Sequence, residues 1–115
     1  MSAPPDAFVV LCTAPASGAR GKPGASELAR QLVEERLCAC VNVLPGVQSW
    51  FRWQGKVEAA DECLLIAKTT GAGAAPLRER IAALHPYETP EVLELAVSGG
   101  LPAYLRWLAD GVGGP

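Results

Sequence analysis

The fold turns on residues 39–69, ACVNVLPGVQSWFRWQGKVEAADECLLIAKT. From Ala39 to Trp53 the pattern is strand-like, interrupted at Pro45-Gly46. Gln54-Gly55 marks a turn, and Lys56 to Thr69 returns as a second long strand, so the two segments form a hairpin. A proline inside a strand points to an edge position or a bulge. Fourteen strand residues at about 3.3 Å each span roughly 45 Å. A domain of this length has a radius of gyration near 13 Å, roughly. The ribbon must therefore project beyond its own core. Ser49, Phe51 and Trp53 point to one side of it, and Gln48, Trp50, Arg52 and Gln54 to the other. Aromatic rings on both faces of a protruding ribbon need cover on both faces. A second subunit supplies that cover, so Trp50, Phe51 and Trp53 are expected at an oligomer interface. The competing reading folds a third helix over them.

Outward from the hairpin, Ala7 to Thr13 is a continuous β-branched and aromatic run stopped by Pro15, a buried strand. Residues 14–25 hold Pro15, Gly18, Gly21, Pro23 and Gly24 and read as a basic, mobile loop. A first helix runs from about Ser26, its N-cap, to Leu37, with Leu28, Ala29, Leu32 and Val33 on its apolar face. After the hairpin, Pro76 opens a second helix, with Leu77, Ile81 and Leu84 as its buried stripe. Pro86 ends it, because proline pushes the preceding residue out of the helical region. Val92 to Val97 is a short last strand. Leu101 to Ala109 is a third helix, and Gly111 to Pro115 a frayed end. Strand, helix, strand, strand, helix, strand, then an extra helix is the α+β, ferredoxin-like order. Right-handed crossovers put both intervening helices on one face of a four-stranded antiparallel sheet. The whole of 1–115 reads as one domain, with an ordered core of about 7–109. That arrangement hosts many unrelated functions and by itself names none.

Composition narrows the classes. The chain has 115 residues, half of them hydrophobic and 19% charged, with a net charge of -2. This suits one globular domain and excludes a disordered tail. Ten basic against twelve acidic residues give no positive field for nucleic acid. Apolar runs are too short to span a bilayer, so no membrane contact is expected. The opening Met1-Ser-Ala-Pro-Pro-Asp6 has no secretory pattern. Cys12, Cys38, Cys40 and Cys63 are then expected as thiols in a reducing cytoplasm. Their spacing fits neither paired Cys-x-x-Cys zinc sites nor a thioredoxin-like motif.

Five further motifs occur in order: Val9-Val-Leu-Cys-Thr-Ala-Pro15, Glu35-Arg-Leu-Cys-Ala-Cys-Val-Asn42, Trp53-Gln-Gly-Lys56, Lys68-Thr69 and His85-Pro-Tyr-Glu-Thr-Pro-Glu91. Tyr104-Leu-Arg-Trp107 closes the series. Together they resemble the CutA family of divalent-cation-tolerance proteins, over about residues 8–108. The resemblance implies a ferredoxin-like subunit, a cytosolic homotrimer and a link to copper tolerance. For bacterial members it implies a copper ion held by the strand-end Cys and the His of His-Pro-Tyr, here Cys12 and His85. Some members carry a second His just before that motif, where this chain has Leu84.

Topology brings Cys12 and His85 to one sheet edge, because the first strand and the second helix both run toward it. Cys38 and Cys40 belong at the opposite edge. A thiolate with an imidazole suits copper or zinc, but a closed structural site wants about four ligands. The competing reading makes Cys12 a packed core residue and His85 a helix-stop residue. Tyr87, Glu88 and Glu91 follow on the same edge, and with Lys68 and Trp53 are candidates for a small-molecule pocket. Such a pocket would suit a sensing trimer of the PII kind.

No catalytic set emerges. Gly18-Ala-Arg-Gly-Lys-Pro23 lacks the phosphate-loop spacing, since Ala16 stands where glycine is needed and Pro23 where Ser or Thr is. Pro45-Gly-Val-Gln-Ser-Trp-Phe-Arg52 is similar to the phosphate cradle of acylphosphatases, but no helix follows it to aim its amides. Glu34-Glu35 and Asp61-Glu62 are adjacent pairs facing different sides and read as solvated surface. The sequence thus points to a non-enzymatic protein.

Overall fold

A computed structural model of the chain describes residues 6–114. The expectations for Met1–Pro5 and Pro115 fall outside the described residues. The elements are β1 (Phe8–Ala14), α1 (Ala25–Glu34), β2 (Cys40–Trp53), β3 (Lys56–Thr69), α2 (Gly71–Leu84), β4 (Leu93–Ala96) and α3 (Pro102–Asp110). The strands form one antiparallel sheet in the order β2-β3-β1-β4. This is the α+β, ferredoxin-like arrangement. β2 lies at the edge, and its register shifts between Leu44 and Val47, with Gly46 at φ 76°. Pro45 is therefore both at an edge and in a bulge, as its missing N–H demands.

Strand alternation sorts the sheet into two faces. Val10, Cys12 and Ala14 of β1 and Cys63, Leu65 and Ala67 of β3 are buried, and they join Leu28 and Leu32 of α1 and Leu77 and Ile81 of α2 in one core. The opposite face carries Val9 and Leu11, paired with Lys68 and Ile66 on one side and with Leu95 and Leu93 on the other. α3 covers little of that face. Its Leu105 and Leu108 pack with Ala7, Ala39 and Val97.

Several boundaries differ from the sequence reading, each for a local reason. α1 begins at Ala25, and its N-cap is Gly24, not Ser26. It ends at Glu34 because Arg36 takes φ 59°, and the bonds Arg36 N to Val33 O and Leu37 N to Leu32 O close a Schellman motif. The usual glycine signal is missing, since Arg36 occupies the left-handed position. Its guanidinium donates to Gly113 O at 2.7 Å and Asp110 O at 2.8 Å. Gly113 N in turn donates to Arg36 O at 2.8 Å, so the described part of the C-terminal segment is tied down, not frayed.

α2 starts at Gly71, not Pro76, with Thr70 Oγ1 accepting from Gly73 N at 3.1 Å as its N-cap. Gly71-Ala-Gly looks like loop in sequence, yet these glycines allow close packing. A Cβ on Gly73 would collide with Thr69 Oγ1. The 14–25 loop, expected to be mobile, is held at two points. Ala25 N donates to Pro15 O at 2.9 Å, and Lys22 Nζ donates to Ala83 O at 2.7 Å near the end of α2.

Candidate functional site

Pro86 fixes the geometry of the site. It halts α2 at Leu84 and leaves His85 extended, at φ -69° and ψ 141°. The imidazole then folds back against the end of β1, where it is only 3% exposed. Nε2 donates to the Thr13 carbonyl at 2.7 Å, and Nδ1 accepts from the Tyr87 amide at 3.0 Å. This pattern assigns the neutral Nε2–H tautomer. Burial holds His85 below its ordinary value, against the raising effects of the Thr13 carbonyl and the Glu62 charge. The Tyr87 ring lies beside it, with centroids 4.7 Å apart, and the phenol donates to Glu62 Oε2 at 2.8 Å.

Cys12 sits next to Thr13 on β1 and is 1% exposed. Its Sγ donates weakly to the Thr13 carbonyl at 3.6 Å. Burial, then the charges of Glu91 and Glu62, push the thiol from 9.0 up to about 12. Tyr87 rises to about 12 as well, through burial and then its bond to Glu62. The expected meeting of Cys12 and His85 at one edge is thus realised. Glu62, Tyr87 and Glu91 join them.

A soft metal ion needs a thiolate and an imidazole lone pair. Here the thiol keeps its proton and both ring nitrogens are engaged. Among the described residues no group of three or more His, Cys, Asp or Glu side chains gathers to hold a metal. The donor set as folded does not fit a resident copper ion.

The candidate small-molecule residues are dispersed along the ribbon. Trp53 pairs with Lys56 at the hairpin tip, Tyr87 bonds Glu62 midway, and Lys68 pairs with Val9 and Cys40 at the far end. Each step of six residues covers about 20 Å along a strand. One chain therefore does not bring Trp53, Lys68 and Tyr87 into a common pocket, and Glu88 is exposed. Lys68 Nζ instead donates to Asn42 Oδ1 and to Cys40 Sγ, the latter at 3.7 Å. Trp50, Phe51 and Trp53 are all exposed, Trp50 by 67%, and α3 does not fold over them.

Glu62 is the residue that sequence reasoning missed. The sequence pattern groups it with Asp61 as surface, yet it is 6% exposed and bonded to Tyr87. The available signal was parity, since Glu62 shares a strand face with Leu64 and Ile66 and so occupies an apolar position.

Residues 8–111 match the family model described as CutA1 divalent ion tolerance protein. The chain is 46% identical over 105 residues to the divalent-cation tolerance protein CutA of Thermus thermophilus, covering 91% of this chain and 97% of that one. Among solved structures, CutA from Xylella fastidiosa superposes with a TM-score of 0.85 at 40% identity, covering 94% of this chain and 99% of that one. The PII-like protein CutA from Nostoc sp. PCC 7120, in apo form, gives 0.82 at 33% identity, with 92% and 97% coverage.

Proposed function

The chain belongs to the CutA1 divalent ion tolerance family, and from that premise we propose that it acts as a non-enzymatic homotrimer in the response to divalent cations, copper among them. The carrying observation is the family match over residues 8–111, nearly the whole chain. Assembly has independent support. Leu93 and Leu95 on one sheet face and the three aromatic residues near the hairpin tip are all exposed. Exposed apolar area on this scale favours association. The number three comes from the family resemblance. A reducing cytoplasm suits four free thiols.

The test pairs two measurements. Light scattering should give the mass of three chains. A strain of the source organism lacking this gene should lose growth on copper-supplemented medium and regain it with the gene restored. Growth unchanged by the deletion would remove the tolerance reading, and a mass of one chain would remove the trimer.

A second reading, a small-molecule sensor of the PII kind, is favoured by the likeness to the Nostoc PII-like protein. The Lys68 ammonium would meet an anionic ligand. A thermal-shift plate with nucleotides and metal salts separates the two readings. A shift with nucleotides that is lost in Lys68→Ala favours the sensor.

A further inference from the structure

The polar atoms around Cys12 and His85 are already committed to one another. The imidazole bridges the Thr13 carbonyl of β1 and the Tyr87 amide of the turn after α2. The Tyr87 phenol continues to Glu62 on β3. The chain of bonds thus joins two neighbouring strands to the end of α2. The turn it holds, His85-Pro-Tyr-Glu-Thr-Pro90, contains two prolines that donate no backbone hydrogen bond. Side chains must do the fastening.

We infer that Thr13, His85, Tyr87 and Glu62 form a structural clasp, and that Cys12 and His85 are not a copper site in this chain. Coordination through Nδ1 would displace the Tyr87 amide and strand a buried donor. Coordination through Nε2 would release the Thr13 carbonyl and force the other tautomer. Either route breaks the clasp. Cys12 packs in the core with Val10, Leu65 and Ile81, where water does not reach the sulfur. Glu62, whose charge bears on both Cys12 and His85, already accepts from the Tyr87 hydroxyl. The mismatch is thus one of lone pairs and burial, and it leaves the family's tolerance role open to other parts of the chain.

Copper(I), held by a chromophoric chelator in competition, provides the first test on the whole protein. Cys12→Ala should keep the parent's affinity to within about tenfold, since losing even a partner that only orients a metal ligand costs about 10–100-fold. A larger drop overturns the inference. Nitrogen-15 spectra of the parent give a reading free of folding artefacts. The His85 Nε2–H signal should persist when copper(I) is added, and its disappearance would equally overturn it. The clasp itself is read by melting. Tyr87→Phe and His85→Gln should each melt below the parent while binding copper(I) as it does. Variants that melt at the parent's temperature would show that no clasp exists.

Discussion

Protons at buried side chains set the pH limits of this fold. Burial pushes Cys12 and Cys38 from 9.0 to about 12, Cys38 being aided by the neighbouring Cys40 charge. The native state therefore holds thiol protons that the unfolded chain releases near 9. Stability from these groups is complete below that value and is lost as pH rises toward 12. Urea midpoints should fall steadily across this window, and Cys38→Ala should flatten the fall at a cost of about 1 kcal/mol near neutrality. His85 gives the opposite sign. Its native value lies below the ordinary 6.5, so the folded state resists a proton that the unfolded chain accepts. Its contribution is present above pH 6.5 and lost as pH falls below it. A parent midpoint that drops on acidification more than that of His85→Gln would register this group. At the same scale, His85 was legible as a helix stop because Pro86 follows it. The burial of Glu62 is signalled only by strand parity, since the Tyr87 hydroxyl that satisfies the carboxylate comes from 25 positions away.

At the level of elements, the hairpin and α2 show how far local patterns carry. β3 spans Lys56–Thr69, the same range that its alternation implied. The sequence pattern starts α2 at Pro76, five residues late, because Gly71-Ala-Gly reads as a breaker when its packing partners are unknown. The buried hydroxyl of Thr69, which donates to Leu37 O at 2.8 Å, lies where a side chain on Gly73 would fall. Gly73→Ala should therefore destabilise by about 1–3 kcal/mol, the range for overpacking a close contact. This runs against the gain that alanine normally brings to a helix. Chemical denaturation compared with Ala72→Gly, an exposed position in the same turn, separates the two effects. The arginine at the end of α1 teaches the same lesson. A left-handed residue is expected to be glycine, yet Arg36 holds that conformation through its two bonds to the C-terminal segment.

For the molecule as a whole, shape and surface point beyond one chain. The extents are 54 × 27 × 22 Å and the radius of gyration is 15.0 Å. A compact domain of this length would have about 13 Å, and the excess is the projecting ribbon. One sheet face is filled by α1 and α2, while the other presents Leu93, 56% exposed, and Leu95 beside Leu11 and Val9. On the helix side of β4, Glu94 pairs with Arg78 at 2.5 Å, so the strand's two faces have distinct roles. Leu95→Arg should leave the subunit folded but reduce the mass in solution to that of one chain. Sedimentation equilibrium with circular dichroism checks both parts, and an unchanged mass would mean that this face is not the interface.

The sequence by itself determined the element order and the antiparallel hairpin, with Pro45-Gly46 at an edge or a bulge. These depend on periodicity, proline and turn chemistry, which act over a few residues, whereas the family rests on the resemblance of its motifs. It also placed Cys12 and His85 at one edge, because strand and helix directions follow from connectivity. Tertiary structure decided what those two residues do. Whether an imidazole nitrogen has a free lone pair depends on which carbonyl and which amide lie within 3.0 Å of it. Thr13 supplies that carbonyl from 72 positions away. Hydrogen bonds are directional and short-ranged, so no spacing rule along the chain reports them. The same holds for the dispersal of Trp53, Tyr87 and Lys68 along the ribbon. Their order in sequence was plain, and only the strand register showed that one subunit keeps them apart.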